Sequence, residues 1–160
     1  MARMLPARLA DKAGQGRRFE VEVVSEPFTA ECEDPSTLME RITDRAGAEG
    51  WDIVVALTDL PLHTQGRKLV VNVDHERGLA LLSLPALGGF RLRTKARRAV
   101  EETVIALAEP RATGVAERQR RRPSKAAFAG RLTSIHPGPV DENEGTDLRY
   151  VVSGPRGYVR

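Results

Sequence analysis

Phe19-Glu20-Val21-Glu22-Val23-Val24 alternates apolar and charged side chains, the period-two signature of a half-exposed strand. Asp34 then offers an N-cap oxygen, and Pro35 is preset for a first helical position. Leu38, Met39, Ile42 and Ala46 recur at helical spacing, with Gly47 and Gly50 closing the element. The Leu38/Ile42 stripe should face a sheet. Trp51 to Leu57 is nearly all apolar, which predicts a central strand covered on both faces.

A connection broken by Pro61 leads to a further strand, Leu69 to Asp74. The turn His75-Glu76-Arg77-Gly78 and the apolar run Leu79 to Leu84 predict a hairpin partner. Pro85, Gly88 and Gly89 end it. From about Leu92 to Ala108, apolar residues return with a period near 3.6, and Pro110 stops that helix. Two weaker strands, Arg131–Ile135 and Leu148–Val152, follow.

Four segments result: a loose arm over 1–17, a core domain over 18–108, a basic linker over 109–125 and a C-terminal strand pair over 126–160. The fold class is α/β, or α+β if the sheet is mixed. A four-stranded twisted sheet carries two main helices in the order β-α-β-β-β-α. Its expected core is Val21, Val23, Leu38, Ile42, Ile53, Val55, Leu57, Val71, Val73, Leu79, Leu81, Val100, Val104 and Leu107.

Composition narrows the chemistry. Aromatic residues are only 4% of the chain, so small aliphatics must fill the interior around Trp51. A lone cysteine, Cys32, forms no internal disulfide and suits a reducing compartment. The first residues contain no apolar run of signal-peptide length, and no stretch reaches the ~18 apolar residues of a membrane span. Charge is uneven: residues 1–90 hold 10 basic and 14 acidic side chains, residues 91–125 hold 11 and 4, and the rest 4 and 4. The positive charge therefore belongs to one helix and the linker after it. Arg118, Arg120, Arg121, Arg122 and Lys125 form a cluster suited to an anionic surface, lipid or nucleic acid. No aromatic interleaves with it, which disfavours stacking on single strands.

Candidate catalytic groups are sparse. His63, His75 and His136 stand far apart in loops, with Cys32, Asp59 and Asp74 as the other conceivable ligands. Ser83, His75 and Asp74 invite comparison with a triad, but Ser83 lacks a G-x-S-x-G elbow. Thr58 and Asp59 suit a turn closed by a side chain. Gly88-Gly89 before a helix offers backbone N–H groups to an anion but carries no nucleotide-binding pattern.

The element order, with the phrases LTDLPL and GLALLSLPAL, resembles the N-terminal core of metzincin-like peptidases, most nearly the archaemetzincins. That resemblance implies a zinc helix bearing H-E-x-x-H, in which two histidines one turn apart hold the metal and the glutamate is general base. Here the register reads Glu101-Glu102-Thr103-Val104-Ile105. Glu102 matches the base, while Glu101 and Ile105 stand where the ligands belong. The expectation is a pseudoenzyme with no catalytic, cofactor or metal residues, and a diverged zinc hydrolase is the alternative.

The runs WDIVVALTDLPL, GLALLSLPALG and DLRYVVSGPRG are also similar to a family of uncharacterised actinobacterial membrane proteins. In that family a soluble N-terminal region precedes several membrane spans. This likeness implies a cytoplasmic, membrane-associated interaction or assembly module. Its partner would be another protein or an anionic membrane surface, and nucleic acid binding through Arg118–Lys125 is a further alternative.

Overall fold

The computed structural model describes residues 4–14, 16–25, 34–89, 91–109, 134–138, 140 and 148–153. Among the described residues there are three α-helices: α1 (Leu5–Ala13), α2 (Pro35–Glu49) and α3 (Leu92–Ala108). The strands are β1 (Val54–Thr58), β2 (His63–Thr64), β3 (Arg67–Asp74), β4 (Leu79–Ser83), β5 (Ser134–Pro137) and β6 (Leu148–Ser153). They build an open mixed sheet in the order β1-β4-β3-β6-β5, with the short β2 bonded to β3. β1 runs parallel to β4, and the other pairs are antiparallel. The fold is mixed α/β.

Side chains alternate across the sheet because successive strand residues point to opposite faces. Val71, Val73, Ala80, Leu82, Leu148 and Tyr150 pack with Ala96 and Ala99 of α3. On the opposite face Leu69, Leu79, Leu81 and Val151 pack with Leu38, Met39, Ile42 and Ala46 of α2. The predicted α2 stripe therefore lies inward. Asp34 caps that helix, its Oδ2 accepting from the Thr37 N–H at 3.0 Å, and Gly50 ends it in the left-handed region at φ 70°. The helix passes through Gly47. The β3–β4 hairpin and the bounds of α3 also match the sequence pattern.

Three expectations need correction. The segment expected as a loose arm contains α1, which buries Leu9 and packs on α3. Phe19–Val24 is not a sheet strand: residues 17–25 carry no regular ladder, and Val23 is 69% exposed. Alternation recognises a chain with one apolar side, but a strand also needs a neighbour to receive its backbone bonds. β1 is an edge strand, not a central one, and Leu57 is 44% exposed. Val54 and Ala56 meet the α2 cluster and Val55 the α3 cluster, so the apolar run correctly reported two covered faces. Facial burial says nothing about lateral neighbours. The C-terminal strand pair joins the sheet, with β6 bonded along β3 and β5 outside it.

Of the remaining expected core, Leu38, Ile42, Val71, Val73, Leu79, Leu81 and Val104 are buried. Val21, Ile53, Val55, Val100 and Leu107 are partly buried. Arg131–Thr133 and most of the linker, Arg118, Arg120, Arg121, Arg122 and Lys125 included, lie outside the described residues. Among the described residues, no helix is long and apolar enough to cross a membrane.

Candidate functional site

The α3 helix turns Ala96, Ala99, Thr103 and Ala106 inward at spacings of three and four, so small side chains let it lie close to the sheet. Glu101 is also buried, on a side of α3 where α1 lies across the helix. Arg8 and Lys12 are one turn apart on α1 and reach the same carboxylate. Arg8 Nε donates to Glu101 Oε1 at 2.5 Å, and Lys12 Nζ donates to Oε2 at 2.6 Å. Arg97 Nε lies 3.9 Å from Oε1. The Glu101 side chain is 2% exposed, whereas Arg8 and Lys12 keep 43% and 39% of theirs in water.

Burying a lone carboxylate costs several kcal/mol, so the charge persists only where charged hydrogen bonds offset the lost water. Burial here pushes the Glu101 carboxyl up. The hydrogen bonds from Arg8 and Lys12, with their positive charges, outweigh it and hold the group below the ordinary glutamate range. In return, the hydrogen bond to Glu101 and then its charge raise the Arg8 guanidinium. Arg17, just past α1, donates to the Ala108 carbonyl at 2.7 Å and so caps the far end of α3. The N-terminal segment thus straps α3 at both ends of its second half.

Glu102 occupies the general-base position of the resembled motif. Its Oε1 accepts from Arg98 Nε at 3.1 Å, one turn earlier on the same helix. Ile105 is half-buried. Both acids of Glu101-Glu102 therefore serve ion pairs.

The other candidates are not drawn together. His63 lies on β2 opposite Lys68, at the start of β3, while His75 follows the end of β3. Lys68 and His75 are seven residues apart, which at strand rise is about 23 Å. His136 lies on β5 opposite Val151. Asp59 is exposed, and Cys32 lies outside the described residues. Among the described residues, no three His, Cys, Asp or Glu side chains converge as a metal site would need.

Ser83 donates its hydroxyl to the Leu60 carbonyl at 2.9 Å. Asp74 sits at the other end of the hairpin, paired with Leu79, roughly 13 Å away at strand rise. Its carboxylate takes the Arg77 N–H and guanidinium, both at 2.9 Å, which closes the turn. Thr58 accepts the Leu60 N–H at 3.1 Å, the side-chain turn its sequence suggested. Beside Gly88-Gly89, Lys95 Nζ donates to the Leu87 carbonyl at 2.8 Å.

Two groupings escaped the sequence reading. One is the Arg8–Lys12–Glu101 clasp, whose only trace was the Leu5/Leu9 spacing beside a preset Pro6. The other is buried Arg149 on β6, directly across from Asn72 on β3. Its Nε donates to Asn72 Oδ1 at 3.1 Å and its Nη1 to Thr64 Oγ1 at 3.0 Å. A single polar residue inside each of two apolar runs, LVVNVD and LRYVV, was the available signal.

At the edge of the sheet, Trp51 leads into β1. Its Nε1 donates to Glu22 Oε2 at 3.1 Å, and the Arg45 guanidinium lies 5.9 Å from its ring centre. The segment 17–25 is thereby held beside the start of β1.

In comparison with known proteins, the chain matches no family model, no curated protein and no solved structure. Both resemblances therefore rest on element order and short phrases alone.

Proposed function

We propose that this chain is a non-catalytic interaction or assembly domain that works at the cytoplasmic face of a membrane. One observation carries the non-catalytic part. Glu101, at a ligand position of the resembled zinc motif, has both carboxylate oxygens engaged by Arg8 and Lys12. A carboxylate committed in this way holds two helices together, and with its side chain 2% exposed it is turned away from solvent. Glu102, at the base position, is paired with Arg98.

The membrane part is supported by the likeness to membrane-anchored proteins and by the Arg118–Lys125 cluster, which would be drawn to anionic headgroups. A mixed α/β core in which, among the described residues, no three His, Cys, Asp or Glu side chains converge as a metal site is suited to presenting surface.

Two measurements test this. Full-length protein equilibrated with zinc and then dialysed should retain far less than one metal per chain. Stoichiometric zinc that Glu101→Gln, at the ligand position, abolishes would make the diverged hydrolase correct. In flotation assays, vesicles containing phosphatidylserine should carry the chain, and salt or Arg120→Glu with Arg121→Glu should release it. Binding to duplex DNA but not to these vesicles would replace the membrane reading with the nucleic-acid one.

A further inference from the structure

We propose that the chain self-associates by strand exchange, with Phe19–Val24 of one copy adding to the open edge of β1 in a second copy. The inference rests on the interaction-module reading and names its partner.

The first observation is the edge itself. Among the described residues β1 has one strand neighbour, β4, which leaves its other side without a ladder. Natural edge strands discourage pairing with charge, proline or a bulge. The opposite edge obeys this rule, since β5 ends in the exposed Pro137. β1 does not: Val54-Val55-Ala56-Leu57-Thr58 has no charge and no proline. Nothing in its sequence discourages a second strand from pairing there.

The second observation is a strand without a sheet. Phe19–Val24 has the alternating pattern of a half-exposed strand, yet it carries no ladder. Paired on an edge, it would place Phe19, Val21 and Val23 on one side and Glu20 and Glu22 on the other. The Glu22–Trp51 hydrogen bond holds this segment close to the start of β1.

The third observation links the two. Five large apolar side chains are exposed among the described residues. Three of them belong to this pair of elements: Val23 at 69%, Val24 at 45% and Leu57 at 44%. Reciprocal exchange about a two-fold axis would set Val23 on the apolar side and give Leu57 a cross-strand neighbour in each copy, with Val24 on the glutamate side, and would provide both backbones with a ladder. A second copy suits the edge because it brings the missing strand and the apolar residues together.

The test is the solution mass of the full chain by sedimentation equilibrium, from low to high micromolar concentration. The expected result is a rise from 17.6 kDa towards twice that value. Val23→Pro removes a backbone donor from a segment that carries no ladder, and it should hold the mass at the monomer value with an unchanged circular dichroism spectrum. Leu57→Lys places a charge on the edge and should do the same. Met4→Lys alters an apolar residue that is 71% exposed elsewhere and should still dimerise. Hydrogen exchange needs no substitution: amides of 19–24 should become slower as concentration rises.

A monomer at every concentration overturns the exchange, as does a dimer that survives both Val23→Pro and Leu57→Lys. Neither result touches the non-catalytic reading, which stands or falls on the zinc measurement.

Discussion

Arg8 and Glu101, 93 positions apart, meet at 2.5 Å and tie α1 to α3. The contact explains how a segment rich in charge and glycine becomes part of the fold. A nine-residue helix is too short to persist alone, so α1 depends on what it docks against. It docks with one buried leucine, Leu9, and with two cations on one buried acid.

Removing the acid should therefore loosen α1 first. Glu101→Gln keeps the shape but loses the charge, and we expect a cost of about 1–3 kcal/mol, limited because both cations can turn to water. Urea unfolding measures the loss. Hydrogen exchange should show faster amides in α1 with β3 and β4 unaffected; uniform change across the sheet would contradict the strap.

The same pair sets a pH dependence. The Glu101 carboxyl lies below its ordinary value in the folded chain. Its contribution is thus complete above the unfolded glutamate pKa of about 4.3 and fades as pH falls through the folded value. The gap in urea midpoint between wild type and Glu101→Gln should be full at neutral pH and shrink as the pH falls below the unfolded glutamate value. A gap that widens on acidification would reverse the assignment.

Gly78 and Gly66 make a matched pair. Both have positive φ, 71° and 73°, so alanine at either site costs about 1 kcal/mol in backbone strain. At Gly78 a Cβ would also stand 2.5 Å from the Asp52 carbonyl oxygen, while at Gly66 nothing lies within 4 Å. Since Gly78 also accepts the Val54 N–H at 3.0 Å, Gly78→Ala should disturb the start of β1. Thermal midpoints should fall distinctly further for Gly78→Ala than for Gly66→Ala.

At the start of α2, Asp34→Ala removes the oxygen that takes the Thr37 N–H and hydroxyl. The expected loss is about 1 kcal/mol, and Asp34→Ser should recover most of it.

Local chemistry was legible wherever one element decides it alone. Asp34-Pro35 marked the start of α2, Pro110 matched the end of α3, and His75–Gly78 marked the hairpin turn. Phe19–Val24 failed because an alternating pattern describes a strand's sides and not its partner. Leu57 failed because an apolar run reports covered faces and not lateral neighbours. The role of Glu101 was not legible, since Arg8 and Lys12, the residues that explain its burial, lie some ninety positions earlier.

By itself, the sequence determined the α/β class, the two principal helices, the hairpin and the lack of a histidine on the final helix. Those features follow from periodicity, capping and residue identity, all of which act over a few positions. Only the tertiary structure decided that β1 stands at the edge, that β6 lies along β3, and that an N-terminal helix neutralises Glu101. These are contacts between distant segments. Their free energy comes from burial and charge pairing that no local window of the chain contains.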